Sequence, residues 1–199
     1  MKLIGATQST ERSDEQTEIA RFWAEPMATM WNRIARTVAQ QQGLGLWESA
    51  RLLAVLDFAL ADATISVYAA KYVYNFWRPL TAIRNADLDG NPETDADLEW
   101  TSLLTASNHP EYPSAHSYQA GAAAAVLAAT FGDVGFAIQS VTLPNVTRTF
   151  DSFSEAAAEI GESRIYGGIH FRRAVEVGLK RGTVIGRRVE RQALRPRRF

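Results

Sequence analysis

Apolar residues recur along this chain with the period of a helix. From Thr17 to Gln42, the residues Ile19, Phe22, Trp23, Met27, Met30, Trp31 and Ile34 predict a helix with one buried face. Pro26 predicts a kink or a division there, because proline lacks an amide hydrogen and crowds the preceding turn. Gly43 and Gly45 end the stretch. Leu46 to Phe76 is the longest apolar-periodic run and predicts a core helix, in which Ala61, Ala63, Ala69 and Ala70 suit close packing. Trp77-Arg78-Pro79 ends or bends it, since the residue before proline avoids the helical region.

Turn residues crowd Asn85 to Thr94 and predict a loop, followed by a short helix over 96–104 and a second loop from Asn108 to Pro113. Ser114 is a capping residue for the alanine-rich helix predicted from Ala115 to Phe131. Asp133 to Ser152 contains Pro144 and several β-branched residues and reads as a short helix and a loop. Ser154 opens a helix to Tyr166, Gly167-Gly168 breaks it, and a last helix runs from His170 to Arg191. No convincing strand alternation, repeat or linker appears. The expected fold class is all-α, one helical bundle spanning 1–199 with flexible ends at 1–13 and 192–199.

The 199 residues suffice for one domain with a real core, and 46% apolar content is that of a globular chain. A net charge of -1 removes any global attraction to nucleic acid, and no nucleic-acid partner is expected. Arg172 to Phe199 nevertheless holds ten basic and two acidic residues, a local +8 that leaves -9 elsewhere, and reads as a solvated helix face and tail. The absence of cysteine excludes disulfides, thiolate catalysis and cysteine-based zinc sites. Leu3 to Ala6 is too short for a signal-peptide core, so no targeting segment is expected. The run Leu52 to Ala70 is broken by Asp57, Asp62 and Ser66, so no membrane span is expected either. The Asn145-Val146-Thr147 sequon reads as incidental.

Three segments place polar residues where an apolar helix would not need them. Lys71 and Arg78 are seven apart, two helical turns, which predicts that they share a face among aromatic residues. Two such cations are costly to bury without an anion between them, and otherwise read as snorkelling surface side chains. Ser114 at a helix start offers free amides and the positive end of a dipole, with His116 in the first turn beside it. Ser163-Arg164 and His170 flank a glycine break that begins a new helix. Asp57 and Asp62 serve either as supports for a pocket cation or as a polar stripe facing solvent. Tyr72, Tyr74, Phe76, Trp77 and Tyr112 read as core or pocket wall.

Taken in order, Lys71-x6-Arg78-Pro79, Pro113-Ser114-x-His116 and Ser163-Arg164-x5-His170 resemble the three-part signature of the superfamily of type 2 phosphatidic acid phosphatases and vanadium-dependent haloperoxidases. The resemblance spans Lys71 to His170 and implies a helical bundle of the haloperoxidase and acid phosphatase type. It implies a pocket for a tetrahedral oxyanion, vanadate or phosphate, held by Lys71, Arg78, Ser114, Ala115 and Arg164. Ala115 stands where the family usually has glycine and still donates its amide. His116 is the implied acid–base, and His170 the vanadium ligand or the nucleophile. Phosphatases of the family commonly carry an acidic residue four positions after the last histidine. Here that position is Ala174, so another group, such as a backbone carbonyl, must orient His170.

Trp77 to Arg84 and Arg164 to Phe171 resemble the soluble bacterial and plant haloperoxidase-like branch. That branch implies a bound vanadate and the oxidation of halide by hydrogen peroxide. His109, seven before His116, falls where bromide- and iodide-oxidising members also carry histidine; it would tune halide or proton there, or else is a plain loop residue. The runner-up is a soluble acid phosphatase that hydrolyses phosphate esters through a phospho-histidine, and the third is a non-catalytic oxyanion-binding protein. Family members of the peroxidase branch are usually longer and built of two bundles. The chain is then a shortened member, a piece of a longer one, or one completed as a homodimer through the helices 46–76 and 115–131.

Overall fold

In the computed structural model, which describes residues 1–194, Pro26 divides the first predicted helix in two. Helix α1 (Asp14–Phe22) begins with a capping box between Ser13 and Gln16, and α2 (Met27–Gln41) starts directly after Pro26. Phe22, Trp23, Met30, Trp31 and Ile34 are fully buried, as the apolar period requires. Helix α3 (Leu46–Tyr74) ends where Asn75 turns left-handed at φ 43°. Pro79 then opens a short helix α4 (Pro79–Arg84) that the sequence pattern did not show, followed by a 3-10 turn at Ala86–Leu88.

Lys71 and Arg78 therefore do not share a helical face. Pro79 keeps Arg78 extended, at φ -82° and ψ 160°, and Arg78 enters the interior from the cap of α4. Helix α3 is also only half core. Leu52, Val55, Leu56, Ala59, Ala63 and Val67 are buried, whereas Phe58, Ala61, Ile65, Ala69 and Tyr72 are exposed. By length and composition alone, Leu46–Arg84 contains an 18-residue stretch, of mean hydropathy 1.7, apolar enough to cross a membrane, a property that core helices share. Asp57 and Asp62 lie on its exposed face, and its other face packs on α2, α5 and α7.

Helix α5 (Ala115–Phe131) is the central element and packs chiefly on α7 (Arg172–Gln192), with α3 and α6 (Phe153–Tyr166) around it. Of the two helices named for a dimer, α5 is thus covered by its own chain. The α5–α7 contact is backbone on backbone. A Cβ on Gly178 would come within 2.8 Å of the Ser114 carbonyl, one on Gly182 would overlap the Tyr118 carbonyl, and one on Gly186 that of Ala122. The register rises together on both helices, so they run parallel and their N-termini lie side by side. Exposed Arg173, Lys180, Arg181, Arg187 and Arg188 put the basic C-terminal charge on the outer face of α7.

Two expectations of helix fail. Between Asp133 and Ser152 the chain forms an antiparallel hairpin, β1 (Phe136–Gln139) with β2 (Thr147–Phe150), pairing Phe136 with Phe150. Phe136 and Ile138 face inward, a two-residue alternation too short to register as a strand in the sequence. The segment 96–104 is irregular, with a turn at 98–99, and receives the N-terminus: Thr7 N donates to Thr101 O at 2.8 Å and Leu103 N to Gly5 O at 3.0 Å. Trp100 donates its indole hydrogen to Lys2 O at 2.8 Å, and Arg12 closes the loop on the carbonyls of Ile4 and Ala6. Residues 1–13 thus lie against the body of the chain, and Gly5 touches Gly168 backbone to backbone. At the other end Gln192 closes α7, and 195–199 lie outside the described residues.

Gly182→Ala is expected to destabilise the chain by about 1–3 kcal/mol, the cost of overpacking a filled contact. Val184→Ala on the exposed side of the same helix is expected to leave the urea midpoint nearly unchanged. Equal midpoints for Gly182→Ala and the parent would refute the close α5–α7 approach.

Candidate active site

The parallel α5–α7 pair brings two helix N-termini, each the positive end of a dipole, to one end of the bundle. Ser114 caps α5, and its amide donates to Ala174 O in the first turn of α7 at 3.1 Å. The first bond inside α5 is Tyr118 N to Ser114 O, so the amides of Ala115 and His116 stand ahead of the helical ladder. His170 lies just before Phe171, the cap of α7. A cavity of about 560 Å³ opens here, lined by Arg78, His109, Ala115, His116, Arg164 and His170, with Met27, Tyr68 and Leu104 among its apolar walls. Lys71 and Ser114 are fully buried beside it rather than in its wall.

Each cation is held by carbonyl oxygens, which orient it without neutralising it. Arg164 is 2% exposed; its Nη2 donates to Trp23 O at 2.9 Å and its Nε to Ser163 Oγ at 2.9 Å. Burial alone pulls it down to about 9. Arg78 donates Nη1 to Ile169 O at 3.0 Å and Nε to His109 O at 2.9 Å. Lys71 Nζ donates to Pro110 O at 2.8 Å and Glu111 O at 3.0 Å. Burial, and then Arg78, lowers Lys71 to about 7, with Glu111 opposing. Asp57 bonds Asn32 instead, at 2.7 Å, and both it and Asp62 are exposed, so neither supports a pocket cation.

The histidines are neutral bases in this positive field. Burial first, then the neighbouring cations, pushes His170 well below its ordinary value. Burial and Arg164 do the same to His116, against a backbone hydrogen bond to Glu25. His109 is also lowered, chiefly by burial. His109 Nδ1 lies 3.2 Å from both Arg78 Nη2 and the Pro110 carbonyl oxygen, and its Nε2 lies 3.4 Å from the Tyr68 hydroxyl.

Glu111 is the residue the motif reading missed. It is 1% exposed, and its Oε1 lies 2.8 Å from His170 Nδ1 and 3.0 Å from Phe171 N. Burial raises it to about 7, opposed by the Phe171 amide, Lys71 and Arg78. It stands two residues after His109, within the loop predicted from Asn108 to Pro113. The α1–α2 corner was missed as well. There the buried Glu25 is bound bidentately by Arg33, at 2.7 and 3.0 Å, and is thereby neutralised. That leaves Lys71, Arg78 and Arg164 facing the single carboxylate of Glu111, an excess of buried positive charge that a di- or trianion would balance.

The protonation of Lys71 gives a direct check. Its ordinary value is 10.5 and its folded value about 7, so the unfolded chain binds the extra proton between those limits and stability rises with pH across them. In melts without oxyanion, Lys71→Met should gain on the parent most at pH 7 and progressively less towards pH 10. A difference that does not vary with pH would mean that Lys71 keeps its ordinary protonation in the fold.

Comparison with known proteins agrees with this geometry. Residues 51–198 match the family model of the VCPO second helical-bundle domain. Vanadium chloroperoxidase of Curvularia inaequalis is 32% identical over 143 residues, which cover 59% of this chain and 23% of that protein. The crystal structure of a bacterial vanadium-dependent iodoperoxidase superposes with a TM-score of 0.78 at 35% identity, over 88% of this chain and 43% of its own. That of a holo-type bacterial vanadium-dependent chloroperoxidase gives 0.74 at 19% identity, over 91% and 44%, a likeness of fold alone. The chain thus spans about a quarter of the curated relative and less than half of the solved ones. With the bundle, the motif order and the family match in agreement, this chain belongs to the vanadium haloperoxidase family, in the part that forms its second helical bundle.

Proposed function

We propose that this chain binds vanadate and carries out halide oxidation by hydrogen peroxide, with iodide or bromide as substrate. The observation that supports it most is the uncompensated buried charge: Lys71, Arg78 and Arg164 around a cavity at two helix N-termini, with Glu111 the one buried carboxylate beside them among the described residues. The residues fit a tetrahedral oxyanion. Arg78, Arg164 and the amides of Ala115 and His116 would hold its oxygens, Lys71 would add charge from behind, and His170 Nε2 would meet the central atom. Vanadate held there supplies the Lewis acidity through which peroxide oxidises halide. His116, neutral and in the cavity wall, takes up the proton that peroxide must lose on entering. Arg164, fixed on Trp23 O, keeps the cradle from turning towards solvent. His109 and Tyr68 line the same cavity, with their rings 5.1 Å apart, and would meet a halide that enters it. The preference for iodide or bromide rests on His109 and on the likeness to the iodoperoxidase.

Purified chain loaded with orthovanadate should oxidise iodide with hydrogen peroxide, and removal of vanadate should stop it. His170→Ala should abolish this activity, and Arg164→Ala should weaken vanadate binding at least tenfold, as expected for loss of a buried charge-assisted hydrogen bond. Hydrolysis of a generic phosphate ester that vanadate inhibits, with no halide oxidation, would overturn this reading in favour of phosphate chemistry. Full activity in His170→Ala would refute the role given to that residue.

A further inference from the structure

We propose that Glu111 is the positioning residue of His170, fixing which ring nitrogen faces the cavity. The proposal deepens the reading of the pocket as a vanadate site and rests on it for the affinity effects below. The family resemblance leaves His170 without an acidic partner, since position 174 is alanine. In the fold, the carboxylate arrives from another segment, the loop that leads into α5.

Glu111 is held at its amide, its carbonyl and one carboxylate oxygen. Its amide donates to Phe76 O at 2.9 Å, and its carbonyl accepts Lys71 Nζ at 3.0 Å. Its Oε1 accepts the Phe171 amide at 3.0 Å and meets His170 Nδ1 at 2.8 Å. An ionised carboxylate oxygen only accepts, so His170 carries its hydrogen on Nδ1. The lone pair of Nε2 is then left for the cavity that His170 lines. Tyr74, Phe76, Tyr112 and Phe171 wall the far side of the carboxylate, with Tyr74 edge-on to Tyr112 at 5.0 Å and Phe76 to Phe171 at 6.1 Å. That wall leaves the carboxylate 1% exposed and strengthens its hold on the imidazole.

This arrangement assigns Lys71 a second task. Through the Glu111 carbonyl it secures the backbone that presents the carboxylate, so that one chain of contacts runs from α3 through Glu111 to His170. A purely structural account competes with this one: Glu111 also sits at the start of α7 and could serve only as an acceptor for the Phe171 amide. The two differ in what they predict for the imidazole.

The test is nitrogen-15 NMR of the histidine rings, paired with calorimetric titration of orthovanadate, on the chain and its Glu111→Gln and Glu111→Leu variants. The parent should show His170 as the Nδ1–H tautomer. Glu111→Gln, whose amide oxygen still accepts, should keep that tautomer and bind vanadate about tenfold more weakly. Glu111→Leu should lose the fixed tautomer and bind up to about a hundredfold more weakly, the range found when a ligand's supporting contact is removed. Lowered melting temperatures with unchanged His170 signals and vanadate affinity would reduce Glu111 to a helix cap and overturn the proposal. If Glu111→Leu fails to fold, Glu111→Gln decides alone: unchanged affinity overturns the proposal. A parent chain that binds no vanadate would overturn the vanadate reading, while the tautomer in Glu111→Leu would still decide the role of Glu111.

Discussion

Two parallel helix N-termini meeting beside three buried cations form the constraint on which the rest of this structure depends. Packing α5 against α7 through Gly178, Gly182 and Gly186 brings their backbones into contact and fixes that meeting point. The result is an interior with too much positive charge, since Glu25 is bound by Arg33 and Glu111 alone opposes Lys71, Arg78 and Arg164. Burial first, and then Arg78, depresses the protonation of Lys71, and burial first, and then the neighbouring cations, depresses that of His170. A polyanion reverses all of these effects at once, which is why the geometry reads as a site rather than as a defect.

The cavity is held in shape by parts far apart in the chain. The carbonyl of Trp23, at the corner that Pro26 creates, fixes Arg164. The loop 109–111 gives carbonyls to Arg78 and Lys71, and a carboxylate to His170. The N-terminal residues press Gly5 on Gly168, next to His170, and pair with the segment around Ser102. The site therefore belongs to the whole described bundle rather than to the motif-bearing helices alone.

Much of this was legible in the sequence, for stated reasons. The start of α5 at Ser114, the break at Pro26 and the end of α3 before Pro79 follow from single residues with strong local preferences. The pocket histidines and arginines were legible because apolar helices do not otherwise spend such residues. The hairpin at Phe136–Phe150 was not, because four-residue strands carry too few alternations to stand out. The separation of Lys71 and Arg78 onto different elements was misread because a count of two turns assumes an unbroken helix, which Asn75 ends. Glu111 escaped notice because nothing local distinguishes a carboxylate that will be buried from one that will be solvated; its partner His170 is 59 residues away.

The most direct measure of the central claim is the thermal midpoint of the chain at pH 7 as orthovanadate is added at constant ionic strength. A ligand that binds only the folded state raises the midpoint by mass action. The account predicts a saturable rise with vanadate and with phosphate, and none with nitrate, which is planar and singly charged. A midpoint unmoved by vanadate, or moved equally by nitrate, would contradict it.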